Sequence, residues 1–315
     1  MKRFLKILFI AFLLAVVLRL FVFETINVAS HAMQESHAIG DMLIIEKWTL
    51  GPRMPHSFKI PFSSKINAKK KPWMQFKEKA YRFPGLSSVN YNDLLVFNDP
   101  RLQPRVPADM IPALLSRCTG LPGDTLQIKG SSMYINGKEL QRPLDITICF
   151  RYISSRKSKV EKQIREKYPE RQIFHKKDTG FVFLTQYEYM KFTLGNKSGK
   201  FALKPYISNN EVKKIVIPYK GYKFKLNNNS IKKWRDLLDR YEKVTVSRAK
   251  SGKYEIDGKE TDTYTFKQDY YWLMNDHQGY INDSRSFGPV PESLIIGKAC
   301  LVLYSPEKKR LLQKI

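Results

Sequence analysis

The chain has 315 residues and a mass of 36.8 kDa, enough for one large or two modest domains around a sizeable core. Hydrophobic residues at 43% and aromatics at 13% exclude wholesale disorder, and three cysteines exclude a disulfide-built scaffold. The balance of 55 basic against 29 acidic side chains leaves +26, so the chain is drawn to anionic surfaces, either nucleic acid or anionic lipid.

The N-terminus separates those two partners. After Met1-Lys2-Arg3 the chain runs apolar from Phe4 to Phe23, interrupted only by Lys6 and Arg19. Twenty residues at ~1.5 Å rise span roughly 30 Å, the thickness of a bilayer core. Lys6 and Arg19 lie near the two ends, where long basic side chains snorkel to the headgroups. The uninterrupted core from Ile7 to Leu18 is short enough for a cleaved signal peptide. No small-x-small pair follows it promptly, however; Phe21-Val22-Phe23-Glu24-Thr25-Ile26 stands there. Residues 1–25 therefore read as a cytoplasmic tip and an uncleaved signal anchor. Lys2, Arg3 and Lys6 stay cytoplasmic by the positive-inside rule, and everything beyond residue 25 falls on the outer side of the inner membrane. No later segment is apolar enough to return, so a single span is expected. Nucleic acid drops out as a partner, and the lipid bilayer takes its place.

From the turn Gly40-Asp41 onward the pattern is β-rich. Met42–Lys47 and Asp93–Phe97 read as strands. Between them, Pro52 to Pro84 is irregular and carries the basic run Lys69-Lys70-Lys71, near Trp73 and Phe76. Asp124–Lys129 and Met133–Lys138 form further strand segments, the second with the turn signal Asn136-Gly137. The basic stretch Arg151–Lys177 holds one helix, Lys159 to Lys167. Short strands continue to Phe266. Alternation returns at Tyr271–Met274 and Ala299–Tyr304, and a basic tail closes the chain over 305–315. The fold class is mostly β: an N-terminal transmembrane helix followed by an antiparallel β-rich domain.

Four segments in order carry a resemblance. They are Phe21-Val22-Phe23-Glu24-Thr25-Ile26-Asn27-Val28-Ala29-Ser30-His31-Ala32-Met33; Gly40-Asp41-Met42-Leu43 with Gly51-Pro52-Arg53-Met54-Pro55; Arg117-Cys118-Thr119-Gly120-Leu121-Pro122-Gly123-Asp124-Thr125; and Asn282-Asp283-Ser284-Arg285-Ser286-Phe287-Gly288-Pro289-Val290-Pro291-Glu292. With Asn92–Phe97 they resemble the bacterial type I signal peptidases, membrane-anchored serine proteases that use a Ser-Lys dyad. The resemblance implies a core over 26–140 and 268–304, with 141–267 as the inserted, variable second β domain. It implies a substrate bound as an added β-strand and no cofactor.

The same alignment exposes departures. The family's nucleophile motif is Ser-x-Ser-Met-x-Pro-Thr, with the second Ser attacking. Here Ser30-His31-Ala32-Met33-Gln34-Glu35-Ser36 places Ala32 at that position, and a methyl group cannot attack a carbonyl. The family's general base is a Lys directly before the Arg of the third block; here it is Ser116, before Arg117. The fourth block normally reads Gly-Asp-Asn-Arg-x-x-Ser-x-Asp-Ser-Arg. Here Asn275-Asp276-His277-Gln278-Gly279-Tyr280-Ile281-Asn282-Asp283-Ser284-Arg285 puts Ile281 where the Ser that orients the base belongs. The degenerate pattern implies abandoned catalysis, with Ala32 and Ile281 as adjacent apolar replacements. Ser30, the backbone N–H of Ala32, and Met33 remain as oxyanion or peptide-binding candidates. Arg117, Asp283 and Arg285 resemble the family's structural ion pairs.

Other groups are read as structural. His31, Glu35 and His37 lack the spacing of a helical metal motif, and no metal is expected. Ser30–His31 and Ser36–His37 are sequence neighbours, which in an extended segment point to opposite sides. His277 is the distant histidine best placed to approach this region, although a surface or loop position is the expected one. Cys118, Cys149 and Cys300 read as buried thiols, and Lys69–Lys71 and Arg156–Lys167 as solvated faces. The function that follows is a catalytically inactive, signal-peptidase-like membrane protein. It would bind signal peptides of exported preproteins or accompany an active signal peptidase. The alternatives are an active signal peptidase with another catalytic set, and a structural envelope protein that keeps the fold alone.

Overall fold

A computed structural model describes residues 2–54, 81–102, 111–130, 132–153, 157–195, 203–206 and 214–315. Lys69–Lys71, Trp73, Phe76 and Arg156 lie outside the described residues. A single 20-residue helix, Lys2–Phe21, opens the chain with no buried residue and a mean hydropathy of 2.6. Its last carbonyls lack intrahelical donors. Lys47 supplies them, donating from Nζ to Arg19 O at 3.1 Å and Leu20 O at 3.2 Å. The same ammonium pairs with Glu24 at 2.9 Å, so helix and first strand leave the apolar segment in a fixed direction.

Beyond the helix the protein is mostly antiparallel β. The main sheet has eight strands: Phe23–Asn27, Met42–Glu46, Ile295–Ser305, Leu94–Asn98, Ala113–Gly120, Tyr270–Met274 and Val290–Pro291 lie side by side in that order, and Arg310–Lys314 pairs on Ile295–Ser305. Leu94–Asn98 and Tyr270–Met274 are buried on both faces, which is why both read as continuous apolar runs rather than alternating ones. The strands expected at residues 42, 93, 124, 133, 271 and 299 all form, shifted by a residue or a few at their ends. Asn136 and Gly137 both adopt positive φ, 52° and 84°, as a tight hairpin turn requires.

Two apolar clusters fill the region between residues 126 and 274. One packs the helix Lys157–Lys167 (through Val160 and Ile164) and Phe192 against Phe150, Tyr152, Val182 and Leu184. The other packs Ile231, Trp234 and Leu237 against Leu126, Met133, Phe266, Tyr270 and Trp272. Residues on both sides of position 267 therefore share one core. Two helices were not anticipated, Gln186–Gly195 and Asn228–Leu237. The second carried a readable signal, since Asn227 and Ser230 form a reciprocal capping box.

Residues 305–315, expected as a basic tail, are instead tied down. Arg310–Lys314 forms a strand, and Arg310 Nη2 donates to Asp41 Oδ2 at 2.8 Å and Ser36 O at 2.9 Å. The fully buried Asp41 carboxylate needs that cation, and Ser305 Oγ donates to it at 2.5 Å.

Candidate active site

Ser30 caps a short 3₁₀ turn, His31–Met33. Its side-chain oxygen accepts the Ala32 N–H at 3.1 Å. One of the two expected oxyanion donors is thus already engaged with the other residue's hydroxyl. The Ala32 methyl is buried, 8% exposed, and Met33 is 1% exposed. Both are held by the segment after Tyr270–Met274: His277 N donates to Ala32 O at 3.0 Å, and Asp276 N approaches Met33 Sδ at 3.3 Å.

Ser116 lies on Ala113–Gly120, opposite Leu95 in the neighbouring strand, and is 1% exposed. Its hydroxyl donates to Asn275 Oδ1 at 2.7 Å. The Asn275 amide nitrogen donates to Tyr280 O at 3.0 Å. This amide therefore stands beside the place expected for the base, and it does so from a position that is Gly in the family motif. The short Ser116 side chain on its strand is matched by the longer Asn275 just beyond the end of Tyr270–Met274, so the pair fills the space with its hydrogen bonds satisfied. The positions expected for nucleophile and base are thus each one hydrogen bond from the three consecutive residues Asn275–His277.

All three residues read as ion-pair members are paired. Arg117 is held by Asp276, through Nε–Oδ1 at 2.7 Å and Nη2–Oδ2 at 2.5 Å. Asp283, fully buried, pairs with Arg285 at 2.7 Å and accepts the Asn275 N–H at 3.0 Å. Ser36 Oγ also donates to Asp276 Oδ2, at 2.6 Å. Asp276 is the residue that sequence reasoning passed over; its place directly before His277 in the fourth block was the available signal.

Ile281 is 48% exposed and lines a cavity to which Ala32 does not contribute. His277 lies in the loop after Tyr270–Met274, as expected, and is half-buried. Its ring packs on Phe183 at 4.8 Å and on Tyr280 at 4.9 Å between centroids, and burial pushes its pKa down. Of the three residues weighed as metal ligands, two go to separate partners. His31 Nδ1 meets Gln34 Oε1. Glu35 pairs with Arg171, which also holds Glu188 at 3.0 Å; burial would raise the Glu35 pKa, but Arg171 overrides it and the net shift is downward. His37 is buried with neither ring nitrogen hydrogen-bonded, and burial pushes it to about 4.

Lys308 reaches the same segment, donating from Nζ to Glu35 O. Among the described residues no lysine side chain is hydrogen-bonded to a serine hydroxyl. Cys118 is buried, while Cys149 and Cys300 are only partly so. Burial raises all three thiols, Cys149 to about 12.

An open strand edge runs beside this cluster. Tyr270–Met274 pairs with Arg117, Cys118 and Gly120 only. The corresponding edge of Ala113–Ser116 has no strand partner among the described residues. Phe23–Asn27, at the end of the main sheet, also has one unpaired edge, and Ile26, Val28, Met33 and Leu115 form one apolar cluster.

Comparison with known proteins agrees with this geometry. The profile of the family "Signal peptidase, peptidase S26" matches residues 1–189 and 206–304. The chain is 26% identical over 308 residues to signal peptidase I of Buchnera aphidicola subsp. Schizaphis graminum, covering 98% of this chain and 76% of the relative. It is 23% identical over 301 residues to signal peptidase I of Buchnera aphidicola subsp. Acyrthosiphon pisum, covering 94% and 73%.

Proposed function

The chain belongs to the signal peptidase family, peptidase S26, and within it we propose a catalytically silent, membrane-anchored member that binds exported preproteins without cutting them. One observation carries this reading: at the position expected for the base, a serine and an asparagine are sealed to each other at 2.7 Å, beside an Ala32 whose methyl has no nucleophilic electron pair. Hydrolysis by a Ser-Lys dyad needs a hydroxyl oxygen to attack the carbonyl carbon and a neutral amine to take its proton. Ser116 cannot replace the family's amine, because a serine hydroxyl does not accept a proton near pH 7, and its hydrogen-bond partner is an amide oxygen, which is no base either.

The binding half of the machinery has support of a different kind. The unpaired edges of Ala113–Ser116 and Phe23–Asn27 offer backbone donors and acceptors to an extended peptide. The apolar cluster of Ile26, Val28, Met33 and Leu115 lies between them and suits small apolar side chains. In this reading Lys2–Phe21 spans the inner membrane once, with the short N-terminus cytoplasmic and the β domain outside. Signal peptides of preproteins are the ligands, and an active signal peptidase is the accompanying enzyme.

The test has two arms. Purified protein in nonionic detergent is incubated with a preprotein; no cleavage above background is expected. Turnover that disappears on mutating Ser30, Ser36 or Ser116 would refute silence. A photoactivatable residue at Leu115 is then expected to crosslink a signal-peptide probe, and a crosslink no stronger than in a scrambled peptide removes the binding role.

A further inference from the structure

A cavity of about 210 Å³ opens between the core and the inserted sheet. Met133 and Met274 wall it from the core, and Phe174, Phe183 and Tyr206 from the inserted sheet. Phe174, Tyr206 and Ile281 are 44%, 39% and 48% exposed, so they form its mouth. The aromatic wall is held in place: the Phe174 and Phe183 rings pack at 5.8 Å between centroids, and Tyr206 N donates to Cys149 O at 2.8 Å.

The charges lining this space are closed. Arg285 pairs with Asp283 at 2.7 Å and donates to Gln278 O at 2.9 Å. Arg142 is engaged as well, with Asp276 the leading opposing charge in its field. Cys149 is a neutral thiol, because burial pushes its pKa to about 12. An anion entering the cavity meets no free cation, and a cation meets two guanidiniums. Either one is a buried charge without a partner, which is costly. One polar side chain stays open. Gln278 spends its N–H on Thr147 O at 3.0 Å and its carbonyl on Arg285, while its carboxamide has no hydrogen-bond partner among the described residues. That group both donates and accepts.

Size narrows the ligand further. An engineered apolar cavity of ~150 Å³ takes up benzene, so this larger one has room for a substituted ring, and its aromatic wall offers edge and offset contacts to that ring. We propose that this cavity binds a neutral, single-ring aromatic ligand carrying one carboxamide or hydroxyl group, with the ring among Met274, Phe174 and Phe183 and the polar group on the Gln278 carboxamide. Ile281, at the position expected for the base-orienting serine, then serves as an apolar rim of this second site. The site is independent of the peptide edge, and neither reading needs the other.

The experiment is fluorine NMR of the full chain in nonionic detergent, with detergent alone as the blank. The probes are 4-fluorobenzamide, 4-fluorobenzoate, 4-fluorobenzylamine and 4-fluorotoluene. Saturable line broadening by one site per chain is expected for 4-fluorobenzamide, with at least fivefold weaker affinity for the carboxylate and for the ammonium. Gln278→Leu keeps the side chain's size and removes its hydrogen bond. It is expected to weaken 4-fluorobenzamide at least fivefold and to hold 4-fluorotoluene within twofold, the second result showing that the cavity is intact. Ile281→Trp, a change at a half-exposed rim, fills the mouth and is expected to abolish binding of both. Broadening no greater than in detergent alone overturns the proposal, as does equal affinity for the charged probes in the native chain, which needs no variant to fold. Unchanged binding of 4-fluorobenzamide in Ile281→Trp overturns it too.

Discussion

Ser116 Oγ lies 2.7 Å from Asn275 Oδ1, and both residues are at most 4% exposed. A strand and the residue just beyond the end of its neighbour thus meet through a side-chain pair at the place where the family resemblance puts a lysine and a glycine. The pairing means that a lysine at 116 and an asparagine at 275 would compete for one volume. It also changes what a repair experiment has to include.

Restoring Ala32→Ser and Ser116→Lys together is expected to yield no cleavage, because the Asn275 side chain still fills the amine's space. Adding Asn275→Gly is expected to give slow but measurable preprotein cleavage, and Ile281→Ser a further gain. The readout is cleaved product per hour. Activity in the double variant equal to that in the triple would show that Asn275 does not obstruct the site.

The Ser116–Asn275 bond also contributes to stability. Ser116→Ala leaves a buried amide oxygen without its donor, at an expected loss of about 1–3 kcal/mol. Replacing both residues, Ser116→Ala with Asn275→Gly, removes the orphaned group. Denaturant midpoints of the two singles and the double test this, and strictly additive losses would mean the two side chains do not interact.

Arg117 and Asp276 form a buried, bidentate pair that also carries Ser36. Asp276→Ala strands a guanidinium whose side chain is only 9% exposed, and a loss of about 3–5 kcal/mol is expected. Arg285→Lys is a milder change, expected to loosen the 278–281 segment while leaving the core intact. Hydrogen exchange of the backbone amides reads both effects. Protection unchanged at Gly279 and Tyr280 in Arg285→Lys would contradict the second.

His37 gives an acid-side dependence whose sign follows from its burial. Its folded pKa is about 4, against ~6.5 when unfolded. Between those values the unfolded chain binds the proton and the folded one resists it, so stability falls as pH drops from about 6.5 to about 4. Thermal melts from pH 7.5 to 4.5 are expected to slope down in the native chain and to flatten over this window in His37→Phe. Parallel slopes in both would place the acid sensitivity elsewhere.

Much of this was legible in the residues themselves. The apolar helix, the strands and the family blocks are local patterns of hydrophobicity, turn chemistry and spacing, and each survives without knowledge of its neighbours. Ala32 and Ser116 were likewise identifiable by register alone. Asn275 was visible as a letter but not as a partner, because a side chain 159 positions from Ser116 has no local signature. For the same reason 305–315 read as a tail.

What the amino-acid order determined by itself was the set of elements and the residue types that stand in the family blocks, since both depend on residue type at fixed spacing. Only the tertiary structure decided the pairings: Arg117 with Asp276, Ser116 with Asn275, Arg310 with Asp41, and Ile281 at the rim of a separate cavity. Burial makes these charged and amide groups costly to leave unpaired, and which partner each finds is set by how the strands stack, a property that belongs to no single segment.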